Sequence, residues 1–383
     1  VRILATGRYP REAGKVRGGV EAVAGTLTPA IAAHPDVEHV TYVVFVPTAA
    51  AAGVEKVSSK LTIIRIVGIQ KFQLIIGALI DGKKLRAIAR QSSADLIHAH
   101  GLGLDSERAL HAGLPSVVTI HGLFEVEARR RLSSSVADRL RLKMVDRLVD
   151  HALRDANAII SISSFDQGHY RDRVRGRLAC IPNPIAPEFF DAYVDDYPAG
   201  SILYAGWLEP RKNVVGMIRA YARLRARGVN VPLLLAGPSK TPEYEATVRQ
   251  AITDLQLTKS VQLLGHQTWP GLITLMQRAA VVTLFSHLEN LPTVLAQAMA
   301  MGRPVVATNV AGIPEMVTDG ENGYLVDDGD EEVLADRWHE LLHSEELRRR
   351  LGWAGREKAI ATYSADVVAN RTVEVYRTAC EHA

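Results

Sequence analysis

The chain is poor in cysteine, in long apolar runs and in the signatures of several common chemistries, and each shortage narrows what it can be. Among 383 residues only Cys180 and Cys380 are cysteines. They stand far apart, with no CxxC pair and no metal-ligand spacing. That argues against a disulfide framework or thiolate zinc site and points to a reducing, cytoplasmic setting. No stretch is apolar for long enough to cross a bilayer. The opening Val1-Arg2-Ile3-Leu4-Ala5 reads as a strand instead of a signal peptide, and the missing initiator methionine points to processing or trimming. No GxGxxG follows that strand, which argues against a nicotinamide dehydrogenase. No aromatic residues interleave with the basic clusters and no zinc-finger or base-reading motif is present, so nucleic acid is not an expected partner. Internal repeats and low-complexity tracts are lacking too.

What is present suits a soluble enzyme: 47% hydrophobic and 23% charged residues. The length exceeds one typical core, so two domains are expected. The net charge of +3 conceals an asymmetry, because residues 1–190 hold 26 Lys and Arg against 18 Asp and Glu, and the remainder 19 against 24. A basic half favours an anionic partner, a membrane surface or an acidic acceptor; ordinary charge scatter is the alternative.

Strand and helix signals alternate from end to end, the pattern of α/β domains with parallel sheets. After the strand at 1–5 and a polar loop over 6–17, Gly18-Gly19-Val20-Glu21 opens a helix to about residue 34. Two glycines at a helix entrance let backbone N–H groups approach a phosphate or sugar closely. Residues 40–46, 61–67, 95–99, 116–120 and 158–163 read as further strands, with helices over 72–91 and through most of 123–156. The strand ends deliver His98, His100 and His121; for the first two a structural role is expected. The later helix interleaves Arg129-Arg130-Arg131, Arg139, Arg141, Lys143 and Arg147 with leucine and valine, either a solvated face or a surface for an anionic bilayer. Residues 192–200 have the composition of a linker, giving domains over 1–190 and 200–360 and a last helix over 364–383.

The chain is organised around residues 281–326. Val281-Val282-Thr283-Leu284-Phe285 reads as a buried strand, 293–301 as a helix capped by Gly302, and Val305-Val306-Ala307 as the next strand. The turn at 289–292 therefore lies at the carboxyl end of a strand, where open α/β sheets bind ligands. Pro292 suits the first helical position, and the helix start attracts an anion. Glu289 beside it points to a ligand with hydroxyl groups, such as a sugar. The loop Trp207-Leu208-Glu209-Pro210-Arg211-Lys212-Asn213 adds a planar guanidinium and a point charge, a pairing suited to a diphosphate. Cations at a helix start oppose its dipole, so a local anion must compensate them. Asp327-Asp328-Gly329-Asp330 invites reading as a metal site, but its place before a helix makes it a capping and turn cluster.

These motifs resemble the signature of the retaining GT-B glycosyltransferases of family 4. The family pattern of two glutamates eight positions apart, followed by Ala-Met-Ala-x-Gly-x-Pro-Val-Val-Ala, is met by Glu289 and Gln297-Ala298-Met299-Ala300-Met301-Gly302-Arg303-Pro304-Val305-Val306-Ala307. Gly312-Ile313-Pro314-Glu315-Met316-Val317 and the pair Gly320 and Gly323 continue it in register. Weaker matches extend over nearly the whole chain.

The resemblance implies two Rossmann-like, doubly wound domains facing across a cleft, with the last helix crossing back to the first. It implies a nucleoside-diphosphate sugar as co-substrate, no cofactor and no metal. Arg211 and Lys212 would take the donor phosphates, Gly18 and Gly19 the diphosphate and acceptor, and Glu289 the sugar hydroxyls. His121, in the Thr119-Ile120-His121 position, would bond a sugar hydroxyl, and the loop at His266 would lie near the base. The donor segment would comprise Glu289, Asn290, Leu291, Pro292, Thr293 and Gln297. The sugar would pass to a carbohydrate or lipid-linked acceptor with retention, by front-face attack, in polysaccharide, glycolipid or cell-envelope glycan synthesis. Three positions depart from the pattern: Gln297 replaces the second glutamate, Pro292 removes a backbone donor that Asn290 or Thr293 would replace, and Trp207 stands where arginine is customary. They keep two alternatives open, a non-catalytic nucleotide-sugar-binding partner and a nucleotide-sugar epimerase on the same scaffold.

Overall fold

The amino-terminal residues form β1 (Arg2–Thr6), whose alternate side chains divide between two cores: Ile3 and Ala5 point to one face of a sheet and Leu4 to the other. The computed structural model describes residues 1–11, 18–69, 76–122, 129 and 135–381. The further strands of this sheet are β2 (His39–Val46), β3 (Gly53–Ser58), β4 (Leu61–Val67), β5 (Leu96–His100), β6 (Ser116–Ile120), β7 (Ala158–Ser161) and β8 (Arg177–Cys180). Their order is β3-β4-β2-β1-β5-β6-β7-β8. All pairings are parallel except β3 with β4. The sequence reading lacked β3, because all six of its residues are exposed and carry no burial pattern; it is a strand only by virtue of its hairpin with β4.

The helices Gly19–Ala33 and Ala365–Glu381 cover one face of this sheet, and Ala78–Ser92, Leu104–Leu110 and Val136–Asp155 the other. The expected helix over 72–91 begins at Ala78 among the described residues, 70–75 lying outside them, and that over 123–156 is described from Val136, with its start at Ser135 capped by the serine side chain. In the last helix Val368, Val373, Val375 and Tyr376 are buried. Each contributes roughly 1.5–3 kcal/mol by leaving water.

The second sheet comprises β9 (Ile202–Ala205), β10 (Leu233–Ala236), β11 (Val261–Gly265), β12 (Val281–Leu284), β13 (Val305–Thr308) and β14 (Tyr324–Val326), in the order β11-β10-β9-β12-β13-β14 with all pairings parallel. Strand progression runs outward from β9 in one direction and from β12 in the other, so the switch point lies between them. The loops leaving β9 and β12 diverge there and open a crevice. The chain divides into two compact units, Val1–Pro184 with Ala365–Ala383, and Ile185–Ser364. Residues 192–200, composed like a linker, are fastened within the second unit. Arg303 donates to the carbonyls of Asp196 and Val194 at 2.6 and 2.9 Å, and Arg348 to that of Tyr197 at 2.7 Å.

Candidate active site

In the second unit β9 is followed by Gly206, whose φ of 156° suits glycine. The Tyr204 hydroxyl donates to the Trp207 carbonyl at 2.6 Å and fixes the start of the loop. Residues Pro210–Lys212 form a 3₁₀ turn, and Asn213 at φ 49° caps the helix Val214–Ala226 by accepting from the Gly216 N–H at 3.2 Å. Arg211 and Lys212 are thus set just ahead of a helix start. From the neighbouring β12, Ser286 and Glu289 enter the same crevice. The His287 N–H donates to the Arg211 carbonyl at 2.8 Å, tying the two loops together.

The anions that the helix dipole demands are Glu289 and Glu209. Arg211 Nη1 donates to the Leu288 carbonyl at 2.6 Å and to Glu289 Oε2 at 3.2 Å, and its Nη2 donates to Glu209 Oε1 at 2.9 Å. Lys212 Nζ donates to Glu289 Oε1, which also accepts from the Ser286 hydroxyl at 2.8 Å. Glu209 Oε2 accepts from Lys240. Glu289 is only 6% exposed. Burial opposes its ionisation, but Lys212 and Arg211 outweigh that and hold its carboxyl below the usual carboxylate range. For Arg211 burial favours the neutral form, while Glu289 and Glu209 raise its pKa further above the ordinary value. The pocket is therefore a ladder of acidic and basic side chains in alternation, running Lys240, Glu209, Arg211, Glu289, Lys212.

The segment after Glu289 continues into the helix Thr293–Ala300. Pro292 is its cap and not its first residue, because ψ 112° keeps it extended, and no side chain caps the helix start. Asn290 and Thr293 are partly buried, and Leu291 and Pro292 buried. Gln297 is 8% exposed, and its side-chain amide has no hydrogen-bond partner among the described residues. Gly302 at φ 67° ends the helix as its spacing predicts. His266 is exposed just beyond β11, two strands from β9. Asp330 caps the helix Glu331–His343, and Asp328 accepts from His287 at 2.7 Å, consistent with a turn cluster.

Gly18, Gly19 and His121 belong to the first unit. Gly18 precedes the helix Gly19–Ala33 with an extended φ of 177°, and a Cβ on either glycine would meet nothing within 4 Å. Neither backbone strain nor packing calls for glycine there. His98 is structural: its ring nitrogens bond the Tyr376 hydroxyl at 2.6 Å and the Thr119 hydroxyl at 2.7 Å, and burial pushes its pKa down to about 3. His121 Nδ1 faces Asn183 Oδ1 at 3.1 Å and its Nε2 faces His100 Nδ1 at 3.4 Å. Burial lowers the His121 pKa to about 4 despite the bond to Asn183, so the ring is neutral near pH 7. With Asn183 accepting, His121 carries its proton on Nδ1, and His100 then donates from Nδ1. Both nitrogens of His121 are engaged, the second by a long bond that a sugar hydroxyl could replace.

Sequence reasoning missed Glu209, Lys240, Ser286, Asn183 and the His100 contact. Glu209 and Ser286 were within reach, two residues before Arg211 and three before Glu289. Lys240 had no local signal, being brought in by β10.

The fold has close counterparts among solved structures. Sucrose-phosphate synthase from Thermosynechococcus elongatus has a TM-score of 0.79 at 22% identity, covering 100% of both chains. Anabaena HepE in complex with UDP-glucose has a TM-score of 0.71 at 20% identity, covering 98% of this chain and 99% of that one. The class is thereby the GT-B fold, with two parallel-sheet α/β domains. Residues 195–358 match the sequence model of Glycosyl transferases group 1, and residues 17–189 that of Glycosyltransferase Family 4. The chain belongs to this glycosyltransferase family. N-acetyl-alpha-D-glucosaminyl L-malate synthase of Bacillus anthracis is 32% identical over 165 residues, 43% of this chain and 42% of that protein. The capsular polysaccharide biosynthesis glycosyltransferase CapM of Staphylococcus aureus is 26% identical over 197 residues, 51% of this chain and 50% of that protein. The matches span half or less of these curated relatives.

Proposed function

We propose that the chain transfers a sugar from a nucleoside-diphosphate sugar to an acceptor hydroxyl, with retention at the anomeric carbon, in the synthesis of a polysaccharide, glycolipid or other cell-envelope glycan. The observation that carries this reading is the meeting of Arg211, Lys212 and Glu289 at the switch point of the second sheet. The binding of UDP-glucose by HepE and the capsular role of CapM support the substrate class and the pathway.

In the reaction the bond between the anomeric carbon and the β-phosphate oxygen breaks, and the diphosphate leaves with the electron pair. The acceptor oxygen bonds to the same face of the carbon, and its proton passes to the departing phosphate. Charge grows on the diphosphate, so preorganised cations beside it do most of the catalytic work. Arg211 and Lys212 supply them, in place of a metal, and the amides at the start of the helix Thr293–Ala300 add partial charge. Glu289 exchanges its cation contacts for sugar hydroxyls. Gln297, buried and with no partner for its side-chain amide among the described residues, takes a ribose hydroxyl.

Incubation with UDP-, GDP- and ADP-sugars, reading nucleoside-diphosphate release with and without glycan or lipid acceptors, tests the proposal. Release with one donor, raised by an acceptor, is expected. Binding without release would favour a non-catalytic nucleotide-sugar-binding role, and interconversion of the free nucleotide sugar an epimerase.

No helix among the described residues is long and apolar enough to cross a membrane. Peripheral contact with an anionic bilayer is proposed for the basic first half. Leu140 and Val136 are 61% and 74% exposed on the helix Val136–Asp155, amid Arg139, Arg141 and Lys143. Co-sedimentation with anionic vesicles, lost in high salt, is expected; equal, salt-insensitive recovery in the supernatant with neutral and anionic vesicles would reject it.

A further inference from the structure

We infer that Glu209 and Lys240 are positioning residues that aim the Arg211 guanidinium at a diphosphate, Glu209 being its permanent anchor and Glu289 its exchangeable one. This rests on the reading of the pocket as a diphosphate-sugar site. The two carboxylates hold Arg211 through different terminal nitrogens, yet they differ in their other ties. Glu289 shares a cation, Lys212, that the diphosphate-sugar reading also assigns to the phosphates. The second cation on Glu209, Lys240, comes from the loop after β10, and the Glu209 carboxylate is 9% exposed between Arg211 and Lys240. The loops that carry the pair are locked together. The Lys240 N–H donates to the Leu208 carbonyl at 3.0 Å, and the Leu208 N–H to the Pro238 carbonyl at 2.9 Å. Gly237 lies so close to Gly206 that a Cβ would overlap the Gly206 carbonyl. The backbone at Lys240 therefore cannot drift from the Glu209 loop without opening the β9–β10 loop contact, which keeps the root of the Lys240 side chain beside Glu209.

An anion entering the crevice competes with Glu289 for both Arg211 and Lys212. If Glu209 were also released, the guanidinium would be held by the Leu288 carbonyl alone at the moment its fork is needed. Keeping Nη2 on Glu209 leaves Nη1 to turn from Glu289 to a phosphate oxygen. The negative charge of Glu209 works against anion binding, so its retention beside a phosphate site is explained by aim and not by attraction.

That opposition gives a test of sign. Inorganic pyrophosphate is titrated calorimetrically into the full chain and its variants. Plain electrostatics predicts that Glu209→Gln, which makes the pocket more positive, tightens binding. Positioning predicts a weakening on the order of tenfold. Lys240→Met is expected to weaken binding similarly, and Lys240→Arg to stay within about twofold of the original. Because Lys240 acts through Glu209, the double variant should bind no more than about twofold worse than Glu209→Gln alone. Should Glu209→Gln fold poorly, as its melting curve would reveal, Lys240→Met and Lys240→Arg carry the comparison. Absence of pyrophosphate binding in the unaltered chain, equal or tighter binding by Glu209→Gln, or additive losses would overturn the inference. If the pattern appears while no nucleotide sugar is turned over, the positioning role stands and the sugar-transfer reading falls.

Discussion

Replacing Glu289 by glutamine tests the charge ladder from its most buried member. The carboxylate holds Lys212 and the Ser286 hydroxyl on one oxygen and Arg211 on the other, at 6% exposure. The amide keeps the shape but not the charge. Arg211 retains Glu209 at 2.9 Å, whereas Lys212, whose side chain is 11% exposed, loses its counter-ion. Breaking a buried pair in this way costs about 3–5 kcal/mol, and the remaining amide acceptor places this site near the lower end, at about 3 kcal/mol. For a unit of this size each kcal/mol moves the melting midpoint by about 2–4 °C, so a fall of roughly 6–12 °C is expected. Pyrophosphate should then stabilise the variant more than the original chain, because no carboxylate has to be displaced from Lys212. Thermal melts with and without pyrophosphate, at low and moderate salt, supply the assay. An unchanged midpoint, or equal pyrophosphate shifts in both proteins, would refute the reasoning.

Further outcomes follow from other parts of the chain. His98 and His121 have folded pKa values of about 3 and 4, below the ordinary value near 6.5, so the unfolded chain binds more protons between these limits. Stability should therefore be fully present above about pH 6.5 and fall as pH drops toward 4, by up to about 1.4 kcal/mol per pH unit for each histidine; a His121→Asn chain should show a shallower slope in denaturant melts. Gly19→Ala is expected to stabilise the chain by about 0.4–1 kcal/mol, since a Cβ there meets nothing within 4 Å, while impairing donor turnover. Greater stability with unchanged turnover would leave the glycine pair without a part in donor turnover. Gln297→Glu should lower the donor KM about fivefold or more by adding a charged acceptor for a ribose hydroxyl; an unchanged KM would place the ribose elsewhere.

Much of this was legible in the sequence. The run Val281–Leu284, the Gly302 cap and the strand Val305–Thr308 are local signals, and the structure follows them within a residue or so. Arg211, Lys212 and Glu289 could each be picked out singly by chemistry and resemblance. Their meeting depends on β9 lying beside β12, a non-local pairing that no window of sequence contains. Lys240 stayed hidden for the same reason, since only the β9–β10 pairing makes it a partner of Glu209. The edge strand β3 was invisible because it buries nothing, and Pro292 was misplaced by one position because its composition fits both a cap and a first helical residue. The 192–200 segment looked like a linker by its Asp, Pro and Gly content, whereas distant arginines, Arg303 and Arg348, decide its fate.

The central claim is that cations at the β9–β12 switch point neutralise a departing diphosphate. The most direct measurement is the kcat of Lys212→Met against the unaltered chain, with the donor sugar it turns over. A loss of about a hundredfold or more is predicted, with the fold intact by melting. Turnover at the original rate would contradict the account.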